Sequence, residues 1–318
     1  MIFLFLKNHL FSVLIIVVLA TAISPTEGSL TAQDNSDNVV ATINQDRIYE
    51  GPLLAQLKSL AGDTPSDSDA YQRLRRQVLE SAIQRRLALA YLEIINQRAS
   101  HDDIQLEIIR LEKRLALKNQ TVADYLQQKH INRQELEHRI DWQLSWPKYS
   151  NQFLTDSNYE NFFKQRRTHF DGTRLLVSQI LLHIQQRPLR TETQTLALAK
   201  EILHLIHENE VTFADAAKQF SDSPTGKKGG LVGSIEYDGA MPREFNQAAF
   251  KLKPGEISAP VKTTFGYHLI QLNDITEGSI TWQMARPRLR KAMIQYLLNF
   301  LTDEGRKIAT VEISKDWK

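Results

Sequence analysis

Residues 220–270, FSDSPTGKKGGLVGSIEYDGAMPREFNQAAFKLKPGEISAPVKTTFGYHLI, form a stretch through which no helix can continue. Seven of the chain's 13 glycines fall in it, and each glycine or proline inside a helix costs about 1 or 3 kcal/mol relative to alanine. The stretch therefore folds as turns, short strands and one short helix, predicted around Phe245–Phe250, with strands near Val261 and Leu269–Leu272. Ahead of it, Arg174–Ile184 is an apolar, β-prone run and reads as a first strand. Thr191–Glu208 has Leu196, Ala199, Leu203 and Ile206 on one face of a helix, and Thr212 with Asp215 three residues on opens a second helix. The order β-α-α, glycine loop, α, β predicts a small α+β domain over residues 173–277.

The flanking segments carry helical periodicity. In Tyr71–Gln97 the apolar positions Leu74, Val78, Ala82, Leu87, Tyr91 and Ile94 recur at spacings of three to five, which gathers them on one face. Arg75, Arg76, Arg85 and Arg86 fall largely outside that stripe and are expected on a solvated face, with an acidic client or a lipid surface as the sharper alternative. Ser100 with Asp103, and Asn132 with Glu135, place a capping oxygen and an acid at two further helix starts. Ile104, Ile108, Leu111 and Leu115 form the stripe of the first, and Leu136, Ile140 and Leu144 that of the second, which Pro147 is expected to end. Thr121–Lys129 is a shorter helix between them. A strand at Val39–Ile43, closed by a turn at Asn44-Gln45-Asp46, precedes this block, and Asp63–Asp69 reads as a loop. Residues 151–172 form a connector that begins helically through Tyr159, Phe162 and Phe163. At the far end, Arg288–Glu304 repeats Leu289, Met293, Tyr296, Leu297 and Phe300 at helical spacing, with Pro287 in the first turn and Gly305 as the stop. Lys307–Ile313 then reads as a strand able to pair with Val39–Ile43.

A chain of 318 residues can bury two cores. Its net charge of +2 gives no electrostatic footprint for nucleic acid. The absence of cysteine removes thiol nucleophiles, disulfides and cysteine-based metal sites. An apolar run from Leu10 to Ala20 follows Lys7 and ends in Ala20-Thr21-Ala22, a small-x-small pattern, so residues 1–22 are expected to be a cleaved signal peptide. An uncleaved inner-membrane anchor is the alternative, and residues 23–37 are expected to be a disordered lead-in. Either way the body of the protein is expected outside the cytoplasm, in the periplasm. No GxSxG, HExxH or phosphate-cradling glycine motif occurs. His204 and His207 share a helix face, but no third ligand is signalled, and no metal is expected.

In their order, the glycine loop, the spaced phenylalanines and the closing Phe265-Gly266-Tyr267-His268-Leu269-Ile270 resemble the parvulin-type (PpiC, rotamase) peptidyl-prolyl isomerases. The helical block behind a VVATIN strand resembles the amino-terminal domain of the SurA-like periplasmic chaperones. In that family the domain is completed by the chain's last helix and strand. The resemblance implies an α+β fold in which an all-helical SurA-like domain, residues 38–150 completed by 280–318, carries an inserted parvulin-like domain. It further implies a proline socket at Met241, Phe245 and Val232, with Phe265 beside it, and a polar cluster of His268, Thr263, Gln179 and Ser223. No cofactor is needed, because rotating an X-Pro bond breaks no covalent bond.

Three positions depart from the parvulin pattern. Gln179, in Val177-Ser178-Gln179-Ile180-Leu181, stands where the first strand usually has histidine. Ser223 stands where a cysteine or aspartate usually faces the twisted carbonyl. Gly229-Gly230-Leu231-Val232-Gly233 lacks the usual aspartate of its loop. Glutamine and serine still form hydrogen bonds but do not titrate near neutrality. The expected function is that of a peptidyl-prolyl isomerase and folding chaperone for exported polypeptides. The alternatives are a parvulin-fold holdase without turnover, and an assembly factor of a secretion or polysaccharide-export system. Unfolded or proline-containing polypeptides are the expected partners, with membrane contact only if the leader is retained.

Overall fold

The computed structural model describes residues 38–185 and 189–317. The expected signal peptide and lead-in lie outside the described residues. Two compact units divide the chain: one runs through Thr155 and resumes at Lys291, and the other is Asp156–Arg290.

The first unit opens with β1 (Val39–Ile43) and β2 (Asp46–Tyr49), an antiparallel hairpin across Asn44-Gln45. Asn44 takes a positive φ of 54°, which asparagine tolerates better than most side chains. Five helices follow: α1 (Glu50–Ala61), α2 (Asp69–Ile94), α3 (His101–Ala116), α4 (Val122–Lys129) and α5 (Arg133–Asn151). Ser100 caps α3 and Asn132 caps α5 through the amides of Asp103 and Glu135. Thr121 caps α4 in a capping box with Asp124. Sequence reading missed β2 and α1; α1 begins at Tyr49, which supplies no side-chain cap bond to announce it.

Two expected helix ends are corrected. Pro147 lies inside α5, which continues to Asn151. A proline forfeits one intrahelical hydrogen bond, and the turn beyond it is retained because Tyr149 and Ser150 are buried there. Gly305 likewise fails to stop its helix. The chain's last long helix is α11 (Trp282–Ile308), with Pro287 in its interior. A Cβ on Gly305 would lie 2.3 Å from the Leu87 carbonyl oxygen of α2. The glycine therefore permits two helix backbones to touch, and around that contact Ala88, Leu89, Leu92, Tyr149, Leu297 and Leu301 close one core. The chain ends in β7 (Val311–Ile313), which pairs antiparallel with β1 and completes the sheet order β2-β1-β7. The strand is shorter than the expected Lys307–Ile313 because α11 extends to Ile308.

Of the arginines expected on a solvated face, Arg86 is instead buried at 8% exposure and pairs with Glu135 at 2.7 Å. Arg75 lies over the buried Trp317 ring, 4.1 Å from its centroid. Among the described residues no helix is long and apolar enough to cross a membrane.

The second unit begins with α6 (Asp156–Gln165) and α7 (Arg167–Phe170). These lead into β3 (Arg174–His183), α8 (Glu192–His207), α9 (Phe213–Phe220) and a 3-10 turn at Pro224–Lys228. The unit continues with β4 (Leu231–Ile235), α10 (Arg243–Ala249), β5 (Val261–Thr263) and β6 (Gly266–Thr276). An antiparallel sheet of order β4-β3-β6-β5 results. β4 falls within the stretch read from sequence as glycine loop, where its exposed Leu231 and Ser234 gave no buried pattern. Side chains alternate across the sheet. Ile180, Leu182 and Leu269 therefore pack with Ala199, Ile202 and Ala216 of α8 and α9, while Val177, Ile270 and Leu272 pack with Phe245 and Ala249 of α10.

Replacing Gly305 with alanine is expected to destabilise the helical unit by about 1–3 kcal/mol, the range for forcing a methyl group into a packed contact. The urea midpoint followed by tryptophan fluorescence, which reports on Trp142, Trp146 and Trp317 of this unit, should fall; an unchanged midpoint would refute the close-approach role.

Candidate functional site

Strand register assembles the polar row. On β3 and β6, Gln179 pairs with Ile270 and Leu181 with His268; on β5 and β6, Val261 pairs with His268 and Thr263 with Gly266. Gln179 and Leu181 are two apart on one strand, as are Val261 and Thr263 on another, so Gln179, His268 and Thr263 share a sheet face as diagonal neighbours. It is the face that carries Phe245.

All three polar residues are nearly inaccessible, with His268 2% exposed. Buried polar groups must be hydrogen-bonded, and these satisfy one another. Thr263 Oγ1 lies 2.8 Å from His268 Nε2, His268 Nδ1 lies 2.9 Å from Gln179 Oε1, and Gln179 Nε2 approaches Ser223 Oγ at 3.5 Å. An amide oxygen only accepts, so Nδ1 carries the imidazole proton and Nε2 accepts from the threonine hydroxyl. Thr263 Oγ1 also accepts the Phe265 amide at 3.1 Å. Burial, with a smaller push from His183, lowers the His268 pKa from 6.5 to about 4, so the ring is neutral at pH 7. The Phe245 ring meets it edge-on, 82° between planes and 5.4 Å between centroids.

A loop closes the outer half of β3. Beyond the pairing with β4, Gln179 donates its amide to the Gly230 carbonyl at 2.8 Å and Leu181 to Ser221 Oγ at 3.1 Å. His183 donates its amide to Asp222 Oδ2 at 2.8 Å. Ser221 and Asp222 side chains thus take the place of a neighbouring strand. Gly230 has φ of 85°, and a Cβ there would lie 2.5 Å from the Gln179 carbonyl oxygen; any side chain would push Gln179 out of register. Ser223 caps the 3-10 turn through the Thr225 amide, and its hydroxyl lies 2.9 Å from Thr225 Oγ1.

The loop also decides where charge stands. Asp222 pairs with Arg190 as well as with the His183 amide, so its carboxylate is directed away from the polar row. The row itself contains no ionised group. Ser221 and Thr225 were missed as parts of the site; a serine two residues ahead of Ser223-Pro224 is a turn signal that could have pointed to them.

The four expected socket residues differ in access. Met241 and Val232 are half-buried against the core that contains Phe245. Phe245 itself is 0% exposed and presents no free surface. Phe265 is 55% exposed in the β5–β6 turn, and its carbonyl accepts from His183 Nδ1 at 2.9 Å. It does not join the cluster around Phe245. His204 and His207 are exposed on α8, and among the described residues no three metal-ligating side chains converge.

An antiparallel four-stranded sheet with two helices on one face, a short helix on the other and a buried histidine–threonine pair between strands defines a class of protein. Residues 180–274 match the family model of the rotamase, or PPIC-type PPIASE, domain. Over 300 residues the chain is 25% identical to foldase protein PrsA 3 of Bacillus cereus, covering 94% of this chain and 91% of that one. It is 32% identical over 136 residues to the chaperone SurA of Shewanella oneidensis, 41% of this chain and 31% of that protein. The crystal structure of PrsA from Bacillus anthracis aligns with 73% of this chain and 96% of its own, at 22% identity and a TM-score of 0.37. In sequence the chain is therefore similar to a PrsA foldase over most of its length and to a SurA chaperone over part of it.

The depressed pKa of His268 has a defined pH signature. Between about 6.5 and about 4 the unfolded chain binds a proton that the folded unit refuses, so this contribution to stability is complete above pH 6.5 and is lost as pH falls toward 4. Wild type should therefore lose more stability on acidification across this window than His268→Gln, which cannot charge. NMR titration of the His268 ring should give a midpoint well below 6.5; a midpoint at 6.5 would refute the buried neutral ring.

Proposed function

We propose that the chain is a foldase of exported proteins, in which the helical unit holds unfolded polypeptide and the inserted parvulin-like unit accelerates X-Pro isomerisation. The observation that carries the isomerase reading is the satisfied Thr263–His268–Gln179–Ser223 chain beneath the half-buried Met241 and Val232. Proline seats against Met241 and Val232, which pack on the core that contains Phe245, and the hydroxyls of Ser223 and Thr225 are the polar groups of the loop beside it. Catalysis requires that the twisted amide be held more tightly than either planar form. The uncatalysed barrier is about 18–20 kcal/mol, and each ~1.4 kcal/mol of that preference raises the rate tenfold. His268, buried and neutral, serves as a positioning residue that fixes Gln179 and Thr263.

A second reading is favoured by one observation: the row lacks any ionised group, and Asp222 is committed to Arg190 and the His183 amide. On that reading the domain binds proline-containing segments without turning them over. The expected leader, 1–22, supports action outside the cytoplasm, and both readings share it.

NMR exchange spectroscopy on an X-Pro peptide with the full chain separates the two. The isomerase reading expects exchange above the uncatalysed rate, lowered about tenfold by Met241→Ala, which removes an apolar contact worth roughly 1.5 kcal/mol. His268→Ala should lower kcat more than it raises KM. No acceleration by the wild-type chain would sink turnover, and full activity in Met241→Ala would show that the socket lies elsewhere. Should the peptide bind without acceleration, the holding reading stands.

A further inference from the structure

The helical unit contains a cavity of about 510 Å3 between α1, α2 and α5, with no part in the proline chemistry of the other unit. Its volume suits one or two amino-acid residues. Its lining mixes apolar Leu53, Ala82 and Trp142 with the cations Arg85, Arg86, Arg139 and Lys129.

The lining is short of negative charge. Glu135 is the carboxylate in it, and it pairs with both Arg86 at 2.7 Å and Arg139 at 2.9 Å. Arg85, half-buried, has no ion pair among the described residues. Arg86 is only 8% exposed, yet its Nε has no hydrogen-bond partner among the described residues. A buried guanidinium N–H left unpaired is costly. His138, which also lines the cavity, adds no charge, because burial and the nearby Arg86 and Arg98 lower its pKa to about 3 and keep it neutral. Glu135 thus pairs with two of the three guanidiniums, and the planar donors of arginine match a second carboxylate.

We propose that this cavity binds the free carboxyl terminus of a client polypeptide, its carboxylate on Arg85 and its last side chain against Leu53, Ala82 and Trp142. The choice of a chain end over an internal acidic residue follows from geometry. A terminal residue carries a carboxylate and an apolar side chain on one Cα. In an extended chain, by contrast, the side chains next to an internal Asp or Glu point to the opposite face. The proposal rests on the reading that the helical unit holds clients, and it adds what part of a client is read.

The test is fluorescence anisotropy of the full chain with labelled decapeptides ending in phenylalanine, prepared as the free acid, as the amide, and as the amide with an internal glutamate. The free acid is expected to bind at least about tenfold more tightly than either amide, the worth of one charge-assisted contact. Arg85→Gln should abolish that preference without changing the thermal midpoint. Competition by N-acetyl-phenylalanine against its amide reads the same difference on the wild-type chain and needs no variant. Equal binding of acid and amide, an undiminished preference in Arg85→Gln, or binding of the internal-glutamate amide as tight as that of the acid would overturn the proposal. Suppression of client aggregation, measured in parallel, separates the two layers. Suppression without an acid preference defeats the carboxylate site alone, whereas no suppression by wild type defeats the holding reading beneath it.

Discussion

The parvulin-like unit depends on the antiparallel register of β3 against β6. That register sets Gln179, His268 and Thr263 side by side on one face of a sheet whose neighbours are otherwise apolar. Three polar groups in such surroundings are tolerable only as a closed set, because each would otherwise lose its hydrogen bonds to water without replacement. A slip of one residue would turn the row to the other face, against α8 and α9. The loop from Ser221 to Gly230 guards against it by bonding the free edge of β3 with side chains in place of a strand. The same bonds hold Ser223 within reach of Gln179.

Seen through that constraint, the substitution of glutamine for the usual histidine is a change of charge more than of architecture. Gln179 accepts from His268 Nδ1 and fixes the ring's tautomer. What is missing is an ionisable partner in the row, and Asp222 does not supply one because Arg190 and the His183 amide hold it elsewhere. Hydrogen bonding along the row is preserved, and no ionised group stands in it.

In the helical unit the corresponding constraint is the approach of α11 to α2 at Gly305. Segments separated by some two hundred residues of sequence meet there and share a core, and β7 joins β1 in the same unit. The buried Arg86–Glu135 pair and the cavity beside it belong to this unit too. Its arginines look like a solvated face in a one-dimensional pattern. Only the packing of α5 across α2 reveals that Arg86 is enclosed and that Glu135 pairs with Arg86 and Arg139 and not with Arg85.

Local chemistry made much of the fold legible: capping residues marked α3 and α5, helical periodicity marked α2 and α11, and glycine density marked the insert. Motif order brought Gln179, Ser223, Thr263 and His268 together as candidates before any contact was known. Where residues act at long range, the linear pattern misled. Pro147 and Gly305 are helix breakers by propensity, yet burial of Tyr149 and Ser150 retains one turn and contact with Leu87 explains the other glycine. Phe245 and Phe265 look alike as aromatic socket candidates, but one is fully enclosed and the other lies in an exposed turn. The sequence by itself determined most element types and the two-part organisation, because these follow from backbone preference and side-chain chemistry, while the candidates for the polar cluster came from the resemblance in motif order. Only the tertiary structure decided which of those side chains a ligand can reach and which charges stand unpaired, because access and pairing are properties of segments brought together from distant parts of the chain.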